Sequence, residues 1–585
     1  MKKIYYLWAV VLLGVVSCQE TIFDEVVLQE EAQYVATVPG LEAVPFNQDQ
    51  IVLVRRLENP YSLTNMRIAF HNTYPEMSDA GIEEEDIVTT HFYVKFRPDN
   101  EEELQDIKNL YSDFELYEYP LDYEMTGRVS YHDPEIPDSL PTYQYASIDS
   151  VSWNTIPLPQ NIDYEIIERL FIPDEDLDVE EGVQMCATRS SSYYDAIERL
   201  VNESLRLTGN LEEEEIPENG MMSSDDIWYP SGRITAYDNI VNGQIPLEGV
   251  KVRVRSWFTT RSTTTDADGY FSFNKGFKNK VNYSIVWDGP KWNIRDGQFV
   301  QAYYNGPKKE GAWNLEIADD GYKSIRYAAI HRAVYRMKLG NTYGLSRVND
   351  FYYTNICYKH ESGNGALGDY NREWGLYVCS DIRIFGKHDD GSFCKIHEIV
   401  HTTMHELGHA AHCTNNIYRY YCSDRNLRES WADFVGYYLI IKEYKDLGCP
   451  YGPFNMLMEL GANHKITMCY QPDNINIQLR EVKSVAGDID NYLPLFIDLN
   501  DPDNQWELYN FYPYVVGINR NYLPKDYIRI IPAQVLESFV FNSTTLLETK
   551  PKLESFYRNN TTALNTEYNL TQENINLIYS LYESL

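Results

Sequence analysis

Residues 397 to 412 read His-Glu-Ile-Val-His-Thr-Thr-Met-His-Glu-Leu-Gly-His-Ala-Ala-His, so the pattern His-Glu-x-x-His occurs twice in succession. On a helix, side chains four positions apart are separated by about 40° around the axis and about 6 Å along it, so each histidine pair can turn its imidazoles toward one cation. The row therefore requires a helix of about four turns with a partner opposite it. Zinc, the ion this spacing suits, takes a third protein ligand in a catalytic site and keeps a fourth position for water.

The segment Asn426 to Phe434 offers that partner. Glu429 lies 24 residues beyond His405 (429 − 405), and Asp433 follows one helical turn later. A capping box between Asn426 and Glu429 is the competing reading of the same residues. The arrangement resembles the gluzincin, thermolysin-like zinc peptidases, whose first helix carries HExxH and whose second carries Glu-x-x-x-Asp. The resemblance implies that His405, His409 and Glu429 ligate zinc, that Glu406 is the general base, and that Asp433 orients a ligand imidazole. In that family a tyrosine between the motifs and a later histidine steady the oxyanion. Tyr420 and His464 are the candidates here, beside Tyr418 and Tyr421, and His464 is the only histidine after Glu429. A metzincin pattern would need glycine at position 412 and histidine at position 415, where the chain has His412 and Asn415. The upstream pair His397 and His401 stands eight residues further from Glu429, so the downstream copy is preferred.

Met1-Lys2-Lys3 followed by the apolar run Ile4 to Val16 has the form of a secretory signal, too short for a membrane span of about 20 residues. Val15-Val16-Ser17-Cys18 resembles a bacterial lipoprotein cleavage box, which implies that residues 1–18 are a signal peptide, that Cys18 carries the lipid anchor, and that the protein sits in the cell envelope, at the outer membrane or cell surface. Seven cysteines, Cys357, Cys379, Cys394, Cys413, Cys422, Cys449 and Cys469, crowd around the histidine row, which in an exported chain predicts disulfides. Cysteine ligation of zinc is the rival, but no C-x-x-C pair occurs. The formal net charge of −37 excludes nucleic acid as a partner, since the phosphate backbone would repel it.

A chain of 585 residues with 43% hydrophobic composition has material for roughly three to four cores. Its pattern predicts a multidomain α+β protein. Residues 19–170 read as a mixed α/β domain, with a strand from Thr90 to Phe96 and a helix from Glu101 to Leu110 behind Asn100. Residues 171–224 read as an acidic linker holding one helix, Tyr193 to Leu207, behind Ser191 or Ser192. Across 225–318 the pattern is β-rich. Val250, Val252 and Val254 alternate with Lys251, Arg253 and Arg255, predicting one buried and one wet face. Gly232-Arg233-Ile234-Thr235, Pro246 to Val250 and Thr265 to Phe273 resemble the carboxypeptidase regulatory-like β-sandwich. Asp266-Ala267-Asp268-Gly269 reads as a hairpin turn, because an EF-hand loop would need a third acidic or amide ligand before its glycine.

Residues 319–585 read as a zincin-like, mostly helical domain. It opens with a helix from Tyr322 to Leu339 capped by Asp319 or Asp320 and strand-like runs Tyr352 to Tyr358, Leu376 to Cys379 and Ile382 to Phe385. The metal helix follows from about Phe393 with Ser392 as cap, then a ligand helix from Leu427 to about Tyr444. The family resemblance implies that the last strand before the metal helix, Ile382 to Phe385, is the edge that pairs with substrate. Peptide-bond hydrolysis is thus the leading expectation. The alternatives are a surface-binding lipoprotein with a structural metal, and a zinc hydrolase of non-peptide substrates.

Overall fold

The computed structural model describes residues 50–75, 82–110, 114–156, 161–173, 191–211, 227–349, 353–363, 366–367, 381–449, 458–460, 466–468, 493–501, 525–580 and 582–584. Cys18 with the signal segment, Cys379, His464, Cys469 and the run Leu376 to Cys379 lie outside them. Among the described residues no helix is long and apolar enough to cross a membrane. The architecture is mixed α+β, with several sheets and flanking helices.

The N-terminal part pairs β1 (Val52–Arg56) with a later strand and carries α1 (Leu63–Thr73), β2 (His91–Arg97) and α2 (Glu101–Leu110), followed by β3 (Tyr123–Thr126), β4 (Gln144–Asp149), α3 (Ser150–Thr155) and β5 (Asp163–Leu170). β3 is the partner of β1, and β2 is the centre of an antiparallel sheet ordered β4-β2-β5. Asn100 caps α2, its Oδ1 accepting from Glu103 N at 2.9 Å, because a side-chain oxygen there satisfies a first-turn amide that has no helical partner. The helix of the acidic stretch, α4 (Ser191–Leu207), is docked: Leu200, Val201 and Leu205 join Met66 and Phe70 of α1 in one core.

Two four-stranded sheets follow, built from β6 (Ser231–Asp238), β7 (Gly243–Pro246), β8 (Lys251–Ser256), β9 (Thr259–Thr264), β10 (Tyr270–Ser272), β11 (Val281–Val286) and two later strands. Between β11 and those strands the chain leaves to form β12 (Asp288–Gly289), β13 (Trp292–Asp296) and β14 (Val300–Gln301), then returns as β15 (Tyr303–Lys309) and β16 (Trp313–Ile317). One sheet runs β10-β6-β16 with β7 beside β6, and the other runs β15-β11-β8-β9. Their inner faces share a core in which the Tyr283 ring lies 6.3 Å from Phe271 and 5.3 Å from Trp313 of the opposite sheet. The predicted turn is present. Asp266 Oδ1 accepts from Asp268 N and Tyr270 N, and Gly269 stands at φ +80°, where a Cβ would come within 2.5 Å of the Ile234 carbonyl oxygen.

The face of β8 expected to be wet is covered. Arg253 and Arg255 are buried against the N-terminal part: Arg253 donates to the Leu116 carbonyl and lies 3.7 Å over the Tyr117 ring, while Arg255 donates to the Leu121 carbonyl at 2.9 Å. Lys251 pairs with Glu115 at 3.0 Å. Alternation distinguishes the two faces of a strand but does not say what covers the polar one, and cations with carbonyl, aromatic and carboxylate partners tolerate burial.

The last part begins with α5 (Lys323–Lys338), β17 (Thr354–Ser362), β18 (Ala366–Leu367) and β19 (Asp381–Lys387). These strands extend the excursion of the preceding module into a sheet ordered β12-β13-β17-β19-β18, with β13, β17 and β19 parallel. The expectation that the strand before the metal helix is the free edge is not met at Ile382 and Arg383, which pair with Leu367 and Ala366; the outermost described strand is β18. α6 (Ile396–Asn415), α7 (Ile417–Cys422) and α8 (Arg425–Asp446) follow, with α5, α6 and α8 packed together. Further on, described helices include Leu495–Asn500, Ala533–Val540, Thr549–Asn559 and Gln572–Tyr579, the last capped by Thr571 as predicted. A buried ion cluster locks the arrangement: Arg332 of α5 holds Asp238 at the end of β6 and Glu443 of α8, each at 2.8 Å, and Tyr444 donates to Asp238 at 2.6 Å.

Candidate metal centre

The helix α6 starts later than its sequence indicates. Ser392 is occupied in a turn, donating to Asp390 through N and Oγ, so Lys395 becomes the N-cap and its N–H donates to Glu398 at 2.6 Å. Glu398, the acid of the upstream copy, therefore serves the helix terminus, where a carboxylate also meets the positive end of the dipole. α5 likewise begins at Lys323 with Tyr322 as N-cap, while Asp320 accepts from Tyr322 N and Asp319 pairs with Arg326 at 2.6 Å.

Along α6 the two copies face different neighbours. His397 is buried against the turn after β6: its N–H donates to Asn239 Oδ1, and its Nδ1 lies 2.7 Å from Asn239 Nδ2. Burial pushes its pKa down to about 3, helped by the charge of Lys395. His401 lies along α8 beside Gly436, where a Cβ would come within 3.1 Å of its Nε2.

The downstream pair meets α8. The N-cap of α8 is Asp424, whose Oδ1 accepts from Leu427 N at 2.7 Å, so Asn426 and Glu429 form no capping box and Glu429 turns inward. Glu429 Oε2 lies 3.2 Å from His409 Nε2 and 3.5 Å from His405 Nε2, and the two imidazoles stand 85° apart. Gly408, between them, allows this approach, since a Cβ there would already touch Val435 at 3.1 Å.

His405, Glu406, His409 and Asp433 are all buried. Burial alone would lower the His405 pKa. The bond to Glu429 and the charges of Glu406 and Asp433 more than offset it, so its pKa lies above the ordinary value. Burial pushes Glu429 the other way, yet the two imidazoles hold it well below the usual carboxylate range. The charges of three carboxylates thus act on one buried imidazole, a negative field that a cation would neutralise. The three donors His405, His409 and Glu429 form a group able to hold a metal ion. A tetrahedral ion with ligands at about 2.0–2.1 Å has edges of about 3.3 Å, close to the separations found between Glu429 and the two imidazoles.

The structure brings Tyr420 to this centre. Its ring lies 6.3 Å from His409 and 5.1 Å from His412, with Arg428 over its face at 5.2 Å. Burial holds its hydroxyl above the ordinary phenol range, so it keeps its proton at neutral pH. Tyr418 is exposed, and the Tyr421 hydroxyl lies 3.6 Å from Cys413 Sγ. Arg425, unremarked in the sequence although it sits one turn before Glu429, reaches within 3.8 Å of Glu429 Oε1. His412 stacks on Phe541 at 4.9 Å. The cysteines divide: Cys413 is disulfide-bonded, Cys394, Cys422 and Cys449 are free thiols, and the buried Cys357 faces the Gln298 carbonyl. Compared with known proteins, the chain matches no protein-family model, no curated protein and no solved structure.

Proposed function

We propose that the chain is a zinc-dependent peptide hydrolase of the cell envelope, with zinc held by His405, His409 and Glu429. The observation that supports this most is the convergence of two imidazole nitrogens on one carboxylate oxygen at 3.2 and 3.5 Å, beside the buried acid Glu406. Two nitrogens and one oxygen leave room for a fourth ligand, which a purely structural site would close with protein.

A zinc ion held by His405, His409 and Glu429 would supply Lewis-acid polarisation of a carbonyl and of a water. Glu406 takes the water's proton on its carboxylate and returns it to the leaving amine. Glu406 follows a ligand in sequence without being one, so its chemistry is separable from metal binding. Asp433, whose charge acts on His405, fixes that imidazole for ligation. Tyr420 has the protonated hydroxyl and the nearness to His409 wanted of a donor to the developing oxyanion. Anchoring through a lipid on Cys18 belongs to the same reading and rests on the cleavage-box sequence.

Metal analysis combined with digestion of a mixed peptide library tests the proposal. The parent chain is expected to hold about one zinc at this centre and to cleave peptides. Glu406→Gln is expected to keep the metal and to lose about 10²–10⁴-fold in rate. Cleavage by Glu406→Gln at the parental rate would contradict the mechanism, and zinc without any cleavage by the parent would leave a structural metal.

A further inference from the structure

The geometry points to a second metal site, a clip of His388, Cys394 and Glu398 that takes a zinc-class divalent cation where β19 hands over to α6. One donor atom from each lies within 4.8 Å of the others, and His388 Nε2 is 3.2 Å from Glu398 Oε2. Imidazole, thiolate and carboxylate together form a zinc-type donor set, with edges of about 3.3–3.6 Å around a tetrahedral ion, so closure needs about an ångström of movement. His388, exposed at the end of its strand, can supply it.

The scaffold holds the other two in place. His388 and Cys394 stand on opposite arms of a tight hairpin: His388 N donates to Ser392 O, Gly391 N to His388 O, and Cys394 N to Gly386 O. Gly391 adopts φ +85°, and Asp390 accepts from Ser392 inside the turn. Glu398 is fixed by the Lys395 N–H at the start of α6. Cys394 is a free thiol, half-buried, with a carboxylate beside it. Binding releases the thiol proton to solvent and leaves the sulfur as thiolate ligand. The clip would fasten the first turn of α6 seven residues before His405, and it does not depend on the proposed hydrolase activity.

Cobalt(II) added to the chelator-treated full-length chain reads this site separately, because thiolate ligation gives a charge-transfer band in the near ultraviolet that a His-His-Glu centre lacks. The band is expected in the parent, retained in His405→Ala and absent in Cys394→Ser. His388→Ala, a change at an exposed side chain, is expected to weaken cobalt binding at the thiolate site beyond the about 10–100-fold that loss of an outer partner costs. A parent without the band, a band that survives Cys394→Ser, or His388→Ala binding as tightly as the parent would overturn the site.

Discussion

The two His-Glu-x-x-His copies on α6 share a spacing, a helix and a neighbour in α8, yet one meets an amide and the other a carboxylate. His397 is held by Asn239 from the sheet module, and Glu398 closes the helix N-terminus. Eight residues on, His405 and His409 converge on Glu429, with Glu406 and Asp433 adding negative charge. The difference teaches that a ligand motif is only a spacing until a second element brings the third donor. The upstream copy binds its own fold together, and its burial drives its imidazole neutral.

Predictions that sharpen this contrast begin with the carboxylate one turn beyond Glu429. Asp433→Ala is expected to weaken zinc binding about 10–100-fold, as loss of a residue orienting a metal ligand does. Competition with a chromophoric chelator measures it, and unchanged affinity would remove Asp433 from the centre. A smaller effect, of another kind, is expected upstream. His397→Ala should cost about 1–3 kcal/mol of stability by breaking a buried polar contact, with zinc affinity unchanged, as denaturant unfolding and zinc titration together would show.

The same residue has a pH signature. The folded-state pKa of His397 is lowered to about 3, whereas an unfolded histidine titrates near about 6.5. Between those values the unfolded chain binds a proton that the folded chain refuses, so this contribution destabilises the fold as pH falls through the window. His397→Ala should therefore flatten the acid limb of thermal stability against pH, and an unchanged slope would show that His397 is not held neutral.

Much of this was legible in sequence where local chemistry decides. Asn100 caps α2, Thr571 caps the last long helix, and the Asp266 to Gly269 turn forms on its own residues. The spacing of Glu429 and Asp433 on one helix anticipated which side chains would face α6. Most of what failed depended on neighbours far along the chain, and the two misplaced helix caps on competing local turns. Alternation puts Arg253 and Arg255 on the polar face of their strand and cannot reveal the N-terminal segment that covers them. The helix at Ser191–Leu207 looked like a linker until its apolar side found α1. Ser392 and Asp320 have the residue types of caps, yet each is taken up by its own turn before the helix begins. Ile382 and Arg383 are covered because a two-residue strand, too short to leave a pattern, pairs outside them.

Zinc titration of His397→Ala against His409→Ala tests the central claim most directly, since each variant removes one histidine from a different copy of the motif. With the centre at His405, His409 and Glu429, the His409 variant loses the zinc of that centre and hydrolysis while the His397 variant keeps both. Loss of zinc in the His397 variant with retention in the His409 variant would move the site one copy upstream and strip Glu406 of its role.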